Sequence, residues 1–94
     1  MLLNLDGPAT YGALSVTPTP SEVKVEASAL EERRVITIQP VDGAVWFGYN
    51  SSVTSSTGTK IYKGQIYALE ATDNLTVYVV ADSGTVDVRI TEVS

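Results

Sequence analysis

The 94-residue sequence contains neither cysteine nor histidine, and it has only one tryptophan, one phenylalanine and one methionine. Without cysteine, no disulfide bond can stabilise the folded chain. Because both residue types are absent, the soft and imidazole ligands of zinc and iron sites are missing, and a site of that kind is nearly excluded. The lack of histidine also removes the usual general base of nucleophilic catalysis.

Basic residues are scarce as well. Six lysines and arginines stand against eleven acidic residues, and the formal net charge is −5. Proteins that bind nucleic acid normally present a basic stripe, whereas here Arg33 and Arg34 directly follow Glu31 and Glu32. We therefore predict no nucleic-acid partner.

Long apolar runs are also missing. No segment approaches the roughly twenty residues that a membrane-spanning helix needs. The first residues, Met1 to Asp6, contain three leucines but no basic region, which is not typical of a signal peptide. We expect a chain that is made in the cytoplasm and has no membrane partner.

Carboxylates are the remaining groups that could support chemistry. The acidic residues considered as catalytic pairs are Glu31, Glu32, Glu70, Asp73, Asp82 and Asp87. Most of them lie at predicted turns or on the polar side of predicted strands, and a domain this small seldom forms a cleft for sugar. Asp73-Asn74 and Asp82-Ser83 offer oxygen ligands for calcium, but Asx-turns explain both pairs more simply. We predict no enzyme, no cofactor, and no catalytic or metal-binding residue.

The length suits a single domain with a thin core. A domain of this size buries only about two-thirds of the surface that its unfolded chain exposes. Small domains usually need a disulfide, a metal or a partner subunit for stability. Since composition argues against the first two, the sequence predicts self-association as the additional source of stability.

The first twenty residues differ from the rest. Gly7-Pro8, Gly12 and the run Thr17-Pro18-Thr19-Pro20 interrupt regular structure. This segment is either a freely solvated terminus or an extended arm that contacts protein. The apolar residues that favour the arm are Leu2, Leu3, Leu5 and Tyr11. We therefore divide the chain into an extended N-terminal arm, residues 1–20, and a β-sandwich domain, residues 21–94.

From residue 21 onward, patterns typical of β-strands follow one another. Val23, Val25 and Ala27 alternate with charged residues, which is the period of a half-buried strand. Further strand-like runs lie at residues 34–39, 44–49, 60–62, 65–69, 75–80 and 86–91. Seven or eight short strands predict an all-β fold, a compact antiparallel β-sandwich of jelly-roll, immunoglobulin-like or barrel-like type.

Glycine-containing turns separate neighbouring strand runs. Asp42-Gly43 and Asp82-Ser83-Gly84 each predict a hairpin, because glycine accepts the positive φ that hairpin turns require. Lys63-Gly64 predicts a further turn. The polar segment at residues 50–59 is rich in serine and threonine, whose side chains favour hydrogen bonds to the backbone over strand pairing.

The only tryptophan lies in the strand predicted at residues 44–49. Alternation places Val45 and Phe47 on one face and Trp46 on the other. The larger matched set predicts the core face, so Trp46 is the candidate for an interface or an exposed groove. Burial of both faces, against a neighbouring subunit or the arm, is an equal alternative, and a platform that stacks on sugar is a third. The candidate protein-interface residues are Leu2, Leu3, Leu5, Tyr11 and Trp46.

Strand and turn motifs follow one another in a characteristic order between Arg33 and Glu92. In chain order they are RVITIQ at 34–39, DG at 42–43, VWFGY at 45–49, SSTG at 55–58, GQIYAL at 64–69, YVV at 78–80 and VDVRITE at 86–92. This segment, about two-thirds of the chain, resembles small β-sandwich virion proteins of tailed bacteriophages, of the capsid decoration, cement or head-fibre type.

The resemblance implies a structural protein of the virion, located on the capsid surface after synthesis in the host cytoplasm. The implied function is that of a decoration or cement protein, which binds the major capsid protein or other virion proteins and stabilises the shell. Such proteins are commonly homo-oligomers, with the trimer favoured. The alternative is a carbohydrate-binding, receptor-binding, head-fibre or neck and tail accessory module. Many weak contacts on a repeated surface would add through multivalency.

Overall fold

The computed structural model describes residues 7–94, and it contains eight β-strands in that range. They are β1 (Ala9–Val16), β2 (Ser21–Glu22), β3 (Val35–Pro40), β4 (Val45–Gly48), β5 (Thr59–Ile61), β6 (Tyr67–Glu70), β7 (Tyr78–Val80) and β8 (Val86–Val93). No helix in this range is long and apolar enough to cross a membrane. The candidate interface residues Leu2, Leu3 and Leu5 lie outside the described residues.

The strands form two four-stranded sheets. Sheet A has the order β1-β8-β3-β6, and sheet B has the order β2-β7-β4-β5. All of these pairings are antiparallel. Along the chain, the strands alternate between the sheets except for β4 and β5, which both belong to sheet B. The prediction of an all-β sandwich is confirmed, and these two strand orders are those of an eight-stranded jelly roll.

The core lies between the two sheets and is built almost entirely from β-branched side chains. Val88 and Ile90 point inward from β8, while Asp87 and Arg89 point outward, so the strand-like run at residues 86–91 alternates between apolar and charged sides. The buried cluster consists of Val16, Val23, Ile36, Ile38, Val45, Phe47, Ile61, Ala71, Val77, Val79, Ala81, Val86, Val88 and Ile90. The period-two pattern of the sequence therefore identifies the core side of the strands correctly.

The two predicted hairpins are wrong. Strands β3 and β4 belong to different sheets, and so do β7 and β8, so each turn carries the chain across the core instead of back along the same sheet. Gly84 has the expected positive φ of 65°, but Gly43 does not. Instead, Asp42 caps the neighbouring strand, because its Oδ1 accepts a hydrogen bond of 2.9 Å from the Asp87 N–H.

The sandwich begins before residue 21. The segment Ala9–Val16, which the sequence analysis assigned to the arm, is the edge strand β1 of sheet A. It pairs with β8 along its whole length, from Ala9 opposite Val93 to Val16 opposite Val86. Val16 lies in the core cluster, and Leu14 packs against it. The domain boundary predicted at residue 21 therefore falls between β1 and β2 and does not separate an arm from a domain.

The strand predicted over Val23, Val25 and Ala27 is also shorter than expected, since β2 ends at Glu22. Side chains replace a partner strand beyond that point. The Val25 N–H donates to Glu92 Oε1 at 3.0 Å, and the Val23 carbonyl accepts from Arg33 Nη1 at 3.4 Å. The alternating pattern is real, but after the Val23 N–H, which donates to the Val77 carbonyl at 2.7 Å, the backbone bonds to a buried ion pair instead of a strand.

Candidate interaction surface

The outward side of sheet A, here called face A, carries few charges. Its side chains are those of Ala9, Tyr11, Ala13, Ser15, Val35, Thr37, Gln39, Ala68, Glu70, Asp87, Arg89, Thr91 and Val93. Three of these thirteen residues are charged, and Arg89 pairs with Asp87. The hydrogen bond and charge of Asp87 raise the pKa of Arg89, and the opposite charges of the two side chains largely cancel. Face A is therefore a nearly neutral surface on an acidic protein.

Tyr11 is the most prominent side chain of face A. It is 83% exposed, the largest value among the exposed large apolar residues of the described chain. In the sheet, Tyr11 lies opposite Thr91, Thr91 opposite Thr37, and Thr37 opposite Ala68. One row across all four strands thus contains an aromatic ring followed by small, uncharged side chains. A shallow groove of about 340 Å³ lies beside the ring and is lined by Tyr11, Gly12, Ala13, Arg89, Ile90 and Thr91.

The outward side of sheet B, here called face B, is different because the chain covers part of it. Its side chains include those of Trp46, Lys60, Tyr78 and Val80, and Val80 lies directly opposite Trp46. The segment at residues 49–58 connects β4 to β5 and places Val53 against this face, where Val53 is only 6% exposed. Face B therefore holds a small second apolar cluster outside the main core.

Two glycines allow the loop to approach face B. A Cβ on Gly58 would lie 2.7 Å from Val53 Cγ2 and 2.9 Å from Trp46 Cβ. A Cβ on Gly48 would lie 2.8 Å from Val53 Cγ2. Since real Cβ atoms essentially never approach other carbon atoms this closely, the cover depends on both glycines.

Side-chain hydrogen bonds hold the same loop in place, as its serine and threonine content predicted. Asn50 Oδ1 accepts from the Ser52 N–H at 3.0 Å, and the Thr54 N–H donates to Thr57 Oγ1 at 3.1 Å. The Ser55 hydroxyl donates to Asp82 Oδ1 at 3.0 Å and links the loop to the turn before β8. The cover of face B is therefore an ordered structural element.

A cation lies over the aromatic rings of face B. Lys60 Nζ is 5.4 Å from the ring centroid of Trp46 and 4.6 Å from that of Tyr62, and both distances fit cation–π contacts. Trp46 points away from the core, as predicted from its alternation with Val45 and Phe47. It is nevertheless half-buried, with Val80 and Lys60 directly opposite it on the two neighbouring strands.

A buried ion pair between Arg33 and Glu92 links the two sheets, and the sequence analysis did not identify it. Arg33 Nη1 lies 2.8 Å from Glu92 Oε2, and the two residues are 2% and 0% exposed. Glu92 is on β8, whereas Arg33 also donates to the carbonyls of Ala71, Thr72 and Leu75 between β6 and β7. No buried side-chain nitrogen or oxygen in the described chain lacks a hydrogen-bond partner.

The sequence contained a signal for this pair. Glu92 continues the inward series Val86, Val88 and Ile90, so the strand alternation places a carboxylate on the core side. A buried carboxylate requires a cation and hydrogen-bond donors. The strand run predicted at residues 86–91 ends one residue before Glu92, and Arg33 follows two glutamates, which is typical of a surface charge, so the local pattern alone does not reveal the pair.

The structure does not bring the two described interface candidates together. Tyr11 lies on face A and Trp46 lies on face B, with the core between them. Within residues 7–94, no group of three or more acidic side chains could hold a metal ion. Of the two faces, face A is the one with uncovered apolar side chains in strands, and it can bind protein without burying many charges.

No protein-family model matches the chain, and no curated protein or solved structure is significantly similar to it. The likeness to phage virion proteins therefore depends on the sequence motifs alone.

Proposed function

We propose that this protein is a structural component of a tailed-phage virion, and that it decorates or cements the capsid by binding the major capsid protein or another shell protein. The resemblance of residues 33–92 supplies the class of protein. The jelly-roll order of the strands supports it at the level of architecture, because virion proteins are among the proteins that use this fold.

The observation that carries the proposal is the composition of face A. A strand side exposed to water usually carries charged and polar residues, whereas face A offers Tyr11, three alanines and two valines around threonines. Desolvating alanine, valine and threonine costs little, and an exposed tyrosine is a frequent anchor at protein interfaces. Face A therefore suits a protein partner.

The acidic residues have a complementary role in this proposal. The chain carries a net charge of −5, but face A contributes only −1 of it, from Glu70, Asp87 and Arg89. Repulsion between the remaining surfaces would keep crowded copies from associating randomly on a shell. Many copies, each held by modest contacts, would bind the repeated lattice through multivalency.

A pair of matched substitutions tests the proposal. Thr37→Asp places a charge at the centre of face A, and Ser51→Asp places the same charge on an exposed residue of the loop that covers face B. The variants are added to phage heads assembled without the chain, and bound protein is measured by co-sedimentation and located by electron microscopy. We expect Thr37→Asp to weaken binding at least tenfold and Ser51→Asp to bind like the wild type. Heads that bind neither the wild type nor a variant would refute the proposal.

Glycan binding is the second candidate function, and the aromatic pair on face B favours it. Tyr62 is 61% exposed beside Trp46, and aromatic rings of this kind stack on sugars. However, the Lys60 ammonium lies over both rings and must move before a sugar can stack there. The test is a titration with host polysaccharide while tryptophan emission is recorded. An unchanged emission for both the wild type and Lys60→Met excludes glycan binding at this surface.

A further inference from the structure

Strand β1 is an unusual sheet edge. It contains eight residues, and none of them is charged or is proline. Natural edge strands are usually short, charged, interrupted by proline or covered, since an open edge pairs with other chains. The other three edge strands are shorter, and each carries a charged residue: Glu22 on β2, Lys60 on β5 and Glu70 on β6. Strand β1 is thus the long and neutral edge of the described sandwich.

The backbone of β1 offers hydrogen-bonding groups toward the outside. The Ser94 N–H donates a hydrogen bond to the Pro8 carbonyl, so Pro8 and Ser94 are a hydrogen-bonded pair. Because hydrogen-bonded pairs alternate along an antiparallel ladder, the even-numbered residues of β1 direct their N–H and C=O groups toward β8. The N–H and C=O groups that point away from the sheet belong to Ala9, Tyr11, Ala13 and Ser15. These are the groups that a further antiparallel strand would bind.

The side chains of β1 are self-complementary. In one antiparallel register, Gly12 of one copy lies opposite Gly12 of the other, and Tyr11 lies opposite Ala13. The same register places Ala9 opposite Ser15 and Thr10 opposite Leu14. Each side chain then lies on the same side of the joined sheet as its partner, and the large outward side chain of Tyr11 lies beside the small one of Ala13. About eight backbone hydrogen bonds would join the two strands.

Charge favours β1 over the other edges for a contact between identical chains. Two copies of a protein with a net charge of −5 repel each other, and pairing through β6 would bring Glu70 into the contact. Pairing through β1 brings no charged side chain of that strand into the interface. The charged residues of the adjacent strand β8 are already paired, Asp87 with Arg89 and the buried Glu92 with Arg33.

We propose that β1 pairs antiparallel with β1 of a second copy about a twofold axis, which joins two A sheets into one eight-stranded sheet. The two copies of face A then form one continuous surface, and this surface stays free to bind a shell protein. This pairing is independent of the virion function, and it predicts a dimer where the resemblance favours a trimer. An isologous contact of this kind closes with two subunits.

Two proline substitutions test the pairing. Ala13 and Ala68 lie on the two opposite edges of sheet A, and in each residue the N–H points away from the neighbouring strand. Proline at either position preserves the hydrogen bonds within the chain but blocks that edge. Molar mass is measured by light scattering for the 10.0 kDa chain. We expect twice that mass for the wild type and for Ala68→Pro, and a monomer for Ala13→Pro.

Hydrogen exchange provides a second test that needs no variant. The N–H groups of Tyr11, Ala13 and Ser15 have no strand partner within residues 7–94 of one copy, so their exchange should slow as protein concentration rises. The N–H groups of Thr10 and Leu14 serve as controls, because β8 protects them at every concentration. A monomeric or trimeric wild type, a dimer that survives Ala13→Pro, or exchange of the three edge groups that does not depend on concentration would each overturn the pairing. Head binding by Thr37→Asp is measured separately, so either proposal can fail alone.

Discussion

Faces A and B belong to sheets of equal strand number, but the chain treats them in opposite ways. Face B is covered by its own connection, since Val53 packs over Gly48 and Gly58 and Lys60 extends over Trp46. Face A has no comparable cover within residues 7–94, and Tyr11 is accordingly far more exposed than Trp46. The apolar surface of face B is thus covered by the chain itself, whereas that of face A is not covered by residues 7–94.

This difference shows that the aromatic residue that looks most conspicuous in a sequence need not be the one most exposed to solvent. Trp46 is large and points away from the core, yet it is a structural residue of a second small cluster. Tyr11 lies among alanine, glycine and serine, and it is the residue presented to solvent. Four substitutions test whether the two faces differ in this way.

Replacing Arg33, the cation that links the two sheets, should destabilise the whole sandwich and therefore both faces. Arg33→Met leaves Glu92 buried without its partner, and breaking a buried pair in this way costs about 3–5 kcal/mol, a large part of the stability of a small domain. Urea unfolding followed by circular dichroism measures the loss. The control is Arg89→Met, which removes a solvent-exposed pair and should change stability little. Equal losses in the two variants would contradict the structural role of Arg33.

Displacing the loop at residues 49–58 should change face B and leave face A unchanged. Gly48→Ala introduces a Cβ 2.8 Å from Val53, and overpacking of this kind costs about 1–3 kcal/mol. We also expect the tryptophan emission to shift to longer wavelength, because the displaced loop exposes Trp46 to water. Val53→Ala in the same chain should recover part of the stability. If the double variant is no more stable than Gly48→Ala, Val53 is not the residue that causes the strain.

Removing the cation over the rings should have a smaller effect. Lys60→Met keeps most of the aliphatic side chain but loses the ammonium group over Trp46 and Tyr62, a contact of about 0.5–1 kcal/mol at an exposed site. Lys63→Met, in the neighbouring turn, is the matched control and should leave both stability and tryptophan emission unchanged. A larger effect at position 63 than at position 60 would argue against the cation–π contact.

The smallest effect is expected on face A. Tyr11→Ser removes a side chain that is 83% exposed, so the free energy of unfolding of the dilute monomer should change by no more than about 0.5 kcal/mol. Thermal unfolding at low protein concentration checks this value. A substantial loss would show that Tyr11 stabilises the chain itself, and the contrast between the two faces would disappear.

The sequence allowed the core side of the strands to be predicted but not the partners of those strands. The alternation of apolar and polar side chains in β8 and around Phe47 depends on neighbouring residues only, so it can be recognised in the sequence without a structure. Whether Asp42-Gly43 closes a hairpin or leads across the core depends on where β8 lies, 45 residues further along the chain. A turn residue specifies that the chain reverses, and long-range pairing decides in which sheet it continues.

Strand β1 and the covered tryptophan were missed for related reasons. The inward positions of β1 are Thr10, Gly12, Leu14 and Val16, which are too mixed in polarity to show a clear alternation. Its partner β8 lies at the far end of the described chain, and only that pairing makes the segment a strand. The outward orientation of Trp46 followed from its neighbours, whereas the position of Val53 over Gly48 and Gly58 depends on the path of the loop.

The position of β8 has a consequence for biosynthesis. Of the eight strands this one is made last, yet it lies between β1 and β3, which leave the ribosome before it. Until residues 86–93 emerge, sheet A lacks its second strand and β1 is not paired with β8, so the sandwich must remain incompletely folded up to that point. The interval in which a neutral, unpaired segment is exposed beside other nascent copies is set by the elongation rate, and slow codons between β1 and β8 would lengthen it.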